Sequence, residues 1–168
     1  SWSFYGLQSA NHEHRASETL QRETGRPTQY ASVEAYAHEH DQYKFKVRAI
    51  LNAVGNYVYK NLKSNKVLMT PPQGAFYLMP EFKNKKYKTS SKLCEAILNE
   101  TGVAMLPGSD FGFKPSKMLT RLSYTDFDGT EFFRNVTNCK MIDDEMIKKH
   151  APNVVEGVSK LSNWVKNL

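Results

Sequence analysis

Two short apolar runs around a loop rich in glycine and proline, residues 102–125 (GVAMLPGSDFGFKPSKMLTRLSYT), most constrain what this chain can fold into. The runs 103–106 and 118–124 are too short for helices. Pro107, Gly108, Gly112 and Pro115 stand between them, so they read as two strands and an intervening loop. The second run alternates, with Met118, Thr120, Leu122 and Tyr124 on one side and Leu119, Arg121 and Ser123 on the other. Arg121 is a lone cation in an otherwise neutral strand. Its guanidinium stays protonated, so a half-buried position there calls for an anionic partner. The residues alone leave three readings open: an internal carboxylate such as Asp126 or Asp128, a fully exposed side chain, or an anion from outside.

The 168 residues suit one ordinary domain with an appended segment. Apolar residues at 40% and charged residues at 24% argue against global disorder. No apolar run reaches bilayer length, and the opening SWSFYGLQSANHEHR carries no secretory pattern. A soluble, cytoplasmic protein without membrane contact is expected. The first residue is serine, so a piece of a longer polypeptide is expected too.

A formal net charge of +6 raises nucleic acid as a partner. The one dense basic run is 83–88, which reads as a solvated loop or as a patch for an anion or a partner. No platform of aromatic residues interleaved with lysine or arginine is visible, so no nucleic acid is expected. Cys94 and Cys139 lack C-x-x-C spacing and read as reduced core thiols. His-Glu-His occurs at 12–14 and again at 38–40, matching no zinc signature, and no metal is expected.

Residues 1–32 are polar and weakly periodic. From there Tyr43, Val47, Ile50, Leu51, Val54, Tyr57, Val58 and Leu62 recur at three- and four-residue intervals, predicting a long amphipathic helix over 33–62. Gly55 lies inside it, as a site of close packing would. A strand is predicted over 75–79. Ser90 and Ser91 open a helix with Leu93, Cys94, Ile97 and Leu98 on its apolar face, and Gly102 stops it. Asp128 and Glu131 have capping-box spacing and start a helix carrying Phe132, Phe133, Val136, Cys139, Ile142 and Met146. Pro152 precedes a last helix with Val154, Val158, Leu161, Val165 and Leu168. Few strands interrupted by helices predict an α+β fold, a small sheet covered by helices.

Several motifs then fall in a recognisable order: Pro72-Gln73-Gly74-Ala75-Phe76-Tyr77, the run from Gly102 through Pro107-Gly108-Ser109, Phe111-Gly112, and Leu119-Thr120-Arg121-Leu122-Ser123. Together they resemble the C-terminal region of class I/II aminotransferases, the aspartate-aminotransferase-like, fold-type-I enzymes that use pyridoxal 5'-phosphate. Pro27-Thr28-Gln29-Tyr30-Ala31 resembles the family's Pro-x-Gln segment. The resemblance implies that 1–32 is the tail of a large domain, 33–62 a long connecting helix and 63–168 the small domain. It implies an amino acid and a 2-oxo acid as substrates, and a homodimeric parent. Arg121 corresponds to the arginine that binds the substrate α-carboxylate. Phe76 corresponds to a position near the substrate, and Gly108 and Phe111 to the loop at the active-site mouth. Arg26 stands where some dicarboxylate-specific relatives carry an arginine, on a poor local match.

The family's Schiff-base lysine sits in a Ser-x-Ser-Lys pattern followed by Gly-x-Arg. Ser91-Lys92, Ser116-Lys117 and Ser159-Lys160 all fail that pattern. No catalytic residue is therefore assigned in this chain, and alone it is expected neither to hold the cofactor nor to transaminate. The alternative is a non-catalytic module of the same fold that binds an anion or a partner.

Overall fold

The computed structural model describes residues 26–37, 41–137 and 142–168. The chain divides into two compact units, 1–41 and 42–168. In the first, α1 (Arg26–Ala37) buries none of its residues. It takes in Pro27 to Ala31, so helix begins earlier than the predicted start at 33. Proline is tolerated there because the first turn leaves its N–H groups unbonded in any case. Residues 38–40 and 12–14, with both His-Glu-His triplets, lie outside the described residues, as does Cys139.

The second unit is built on α2 (Asp41–Leu62), which buries Ile50, Val54, Gly55, Tyr57, Val58 and Leu62. Tyr43 stays exposed, its ring 5.5 Å from that of Phe133. A Cβ on Gly55 would stand 2.9 Å from the Tyr124 hydroxyl oxygen and 3.2 Å from Pro72 Cγ. The glycine thus lets the strand side chain reach the helix backbone. The Tyr124 hydroxyl goes on to donate to the Ala75 carbonyl at 3.1 Å.

The strands are short. β1 (Val67–Leu68) pairs antiparallel with β3 (Glu81–Phe82). The other sheet has the order β2-β5-β4, made of β2 (Tyr77–Leu78), β5 (Thr120–Ser123) and β4 (Leu106–Pro107), all antiparallel. A bridge between Glu81 and Leu119 and a bond from Thr120 N–H to the Pro80 carbonyl (2.9 Å) join the two ladders. The predicted strand at 75–79 is trimmed because Ala75 has a positive φ of 61°. The predicted strand at 103–106 contracts to its last residue and extends into Pro107.

Helix α3 (Ser90–Thr101) is capped one residue earlier than predicted: Thr89 accepts from the Lys92 N–H, and Gly102 closes the helix at φ 76°. Its buried face holds Leu93, Cys94 and Ile97, whereas Leu98 is exposed. Burial raises the Cys94 thiol pKa to about 11, as suits a protonated core thiol at neutral pH. The single helix expected from Asp128 to Met146 is instead two. α4 (Gly129–Asn135) ends where Val136 turns extended, and α5 (Asp144–His150) starts anew on an Asp143 cap that accepts from the Met146 N–H. Asp128 caps α4 through the Glu131 N–H, while the Glu131 carboxylate faces His150 Nδ1 at 3.4 Å.

Helix α6 (Pro152–Lys166) has Pro152 in its first turn and buries Val154, Val158, Leu161 and Val165. Each such side chain contributes about 1.5–3 kcal/mol of burial. α6 packs on α3, where the Trp164 indole N–H donates to Glu100 Oε2 at 2.7 Å. Tyr87 of the basic loop stacks on Trp164, with ring centroids 6.2 Å apart, while Lys83, Lys85, Lys86 and Lys88 stay exposed. Among the described residues no helix is long and apolar enough to cross a membrane, and no group of three His, Cys, Asp or Glu is placed to hold a metal ion. The architecture of the second unit is α+β, two small antiparallel sheets with helices.

Candidate functional site

The alternation of β5 decides which side chains can meet a ligand. Met118, Thr120, Leu122 and Tyr124, predicted to share one face, are all buried. On the opposite face Ser123 is exposed and Arg121 is half-buried. Leu119 belongs to that face by parity yet is 7% exposed. It is covered by the 3-10 turn Gly108–Phe111, whose Gly108 N–H donates to the Leu119 carbonyl at 2.8 Å. A Cβ on Gly108 would lie 2.8 Å from that same oxygen, so only glycine lets the turn sit so close to the strand. Gly112, at φ 82°, ends the turn and donates back to Gly108 and Ser109.

This turn delivers Phe111 to Arg121. The guanidinium carbon lies 4.6 Å from the centre of the Phe111 ring. From the other side of β5, β2 brings Tyr77 opposite Ser123, two residues from Arg121 on the same face, and its ring centre is 5.3 Å from the guanidinium. Phe76, 51% exposed, stands edge-on to Tyr77 with centroids 5.7 Å apart. Among the described residues no carboxylate comes within 4.0 Å of Arg121. The Asp128 carboxylate is engaged at its helix cap instead, and Asp126 is exposed.

Of the residues singled out from sequence, Arg121 and Phe111 are therefore in direct contact. Gly108 holds the turn that places Phe111, and Phe76 reaches the cluster only through Tyr77. Tyr77 itself was legible as part of the Pro72-to-Tyr77 motif but not as a partner of Arg121. Only the β2–β5 register reveals that, and register is set by contacts distant in sequence. Two concavities, of about 420 and 1150 Å³, are not lined by Arg121, although Ser123 lines the smaller and Phe76 the larger. The guanidinium is half-buried beside the two rings, and among the described residues none takes up its N–H donors.

The family model for aminotransferase class I and II matches residues 20–133, which contain this entire cluster. The chain belongs to that family. The chain is 35% identical over 109 residues to the aspartate aminotransferase of Bacillus sp. strain YM-2, covering 60% of itself and 27% of that enzyme. The chain thus spans little more than a quarter of that relative's length. Among solved structures, it is similar to the alanine aminotransferase of Pyrococcus furiosus, with a TM-score of 0.59 and 20% identity, over 84% of this chain and 30% of the other. The aspartate aminotransferase of Thermotoga maritima gives 0.53 and 25% identity, over 89% and 32% respectively.

Proposed function

We propose that this chain supplies the substrate-carboxylate side of a pyridoxal-phosphate-dependent aminotransferase, with Arg121 anchoring the α-carboxylate of the amino acid and of the 2-oxo acid. The observation that carries this reading is a half-buried guanidinium that meets no carboxylate among the described residues and is set between the rings of Phe111 and Tyr77. A planar guanidinium takes a carboxylate through two parallel hydrogen bonds, which fixes orientation as well as charge. Fixing the carboxylate fixes where the substrate Cα–H points, and such positioning lowers the barrier to its removal.

Pyridoxal phosphate supplies an electron sink for the carbanion in this chemistry. The described residues do not fit it. Lys92 is exposed on the first turn of α3. Lys117 lies 3.8 Å from Glu81 and over the Phe113 ring, and Lys160 pairs with Glu156 at 2.6 Å. The Schiff-base lysine, the acid that pairs the pyridine nitrogen and the ring that stacks on it must come from a large domain. The complete enzyme is expected to work as a homodimer, and the 168-residue chain alone is expected to be inactive.

In the encoded polypeptide that carries this chain with a Schiff-base lysine, Arg121→Leu is expected to lower kcat/KM for the amino acid about 100-fold. Cofactor affinity should stay unchanged. An unaltered kcat/KM would sink the assignment of Arg121. Lysine-dependent transamination by the purified 168-residue chain would sink the division of labour. An encoded polypeptide without any Ser-x-Ser-Lys segment would favour a non-catalytic carboxylate-binding module using the same arginine.

A further inference from the structure

We infer that Phe111 and Tyr77 are positioning residues for Arg121, holding its guanidinium in place while leaving its N–H donors for a bound carboxylate. This rests on the carboxylate-anchor reading of Arg121. The contacts come from both flanks of β5: Tyr77 from β2 on one side, and Phe111 from the turn that follows β4 on the other.

The choice of partner matters chemically. An internal aspartate would fix the guanidinium just as well, but it would neutralise the charge and take the same donors a substrate needs. The face of an aromatic ring attracts the cation through its quadrupole and accepts none of the in-plane N–H groups. Two such rings therefore preorganise the arginine without competing for the ligand. This also accounts for Phe111, which is 41% exposed on a turn where core packing does not require it. Its position is enforced by the close approach of Gly108 to the Leu119 carbonyl and by the left-handed Gly112.

The test is a titration of the ¹⁵N-labelled 168-residue chain with sodium pyruvate, read at the Arg121 Nε–Hε resonance. In the unmodified chain that resonance is expected to carry a ring-current displacement before any pyruvate is added, and to shift saturably as pyruvate binds. Phe111→Leu keeps apolar volume but removes the ring. It is expected to lose the part of the displacement that Phe111 contributes, leaving that of Tyr77, and to weaken pyruvate binding about tenfold, and Phe111→Trp should restore most of both. Equal pyruvate affinity in the unmodified chain and Phe111→Leu would overturn the positioning role and leave the anchor reading standing. No response of Arg121 to pyruvate in the unmodified chain would overturn the anchor reading itself. Should Phe111→Leu fail to fold, the missing variant leaves the unmodified spectrum to decide, because an Arg121 resonance without ring-current displacement overturns the inference.

Discussion

Phe132→Ala is expected to destabilise the chain by about 3–5 kcal/mol. Phe132 has no exposed surface and sits in α4, with the Phe127 ring at 5.6 Å and the His150 ring stacked at 5.4 Å. Through it the short helices α4 and α5 meet the loop that follows β5. Neither helix exceeds two turns, so neither is stable without that packing. Truncation opens a cavity between elements too short to hold their places while relaxing into it. Thermal unfolding of the variant should come roughly 10 °C or more below that of the unmodified chain. A loss under about 1 kcal/mol would mean that this layer is not packed as described.

Gly108→Val is expected to cost about 3 kcal/mol, and to weaken carboxylate binding as well. The Cβ position would lie 2.8 Å from the Leu119 carbonyl oxygen and 3.1 Å from Leu119 Cβ. The first of these neighbours is backbone at the head of β5, held by the bridge to Glu81, so it cannot swing aside. The turn must lift instead, stretching the 2.8 Å bond from Gly108 N–H and carrying Phe111 away from Arg121. Chemical denaturation measures the first effect and the pyruvate titration the second. A variant with native stability and native pyruvate affinity would show that the close approach plays no part in either.

Local signals in the sequence were sufficient for much of the scaffold. The spacing of Val154, Val158, Leu161 and Val165 behind Pro152 predicted α6 and its buried face, and Gly102 ended α3 in the left-handed conformation expected of it. The alternation of 118–124 separated Thr120 from Arg121, and the structure buries the first while leaving the second half-buried on the opposite face. What escaped depends on partners far away in the chain. Val136, Ile142 and Met146 keep helical spacing with Phe132, yet the chain turns extended at Val136 and restarts on the Asp143 cap. Leu98 has the right spacing for the α3 core but is left exposed. For Arg121 the sequence suggests an acid, an outside anion or plain exposure, and no aromatic partner, because charge is visible in a sequence and strand register is not. Tyr77 and Phe111 reach Arg121 only once β2 and the turn after β4 flank β5.

The most direct test of the carboxylate anchor is a crystal structure of the 168-residue chain grown with pyruvate. The predicted result is a pyruvate carboxylate joined to Arg121 by two N–H···O bonds of about 2.7–2.9 Å, with Tyr77 and Phe111 still against the guanidinium. Arg121 turned onto Asp126 or Asp128, or pyruvate bound elsewhere with Arg121 untouched, would contradict it.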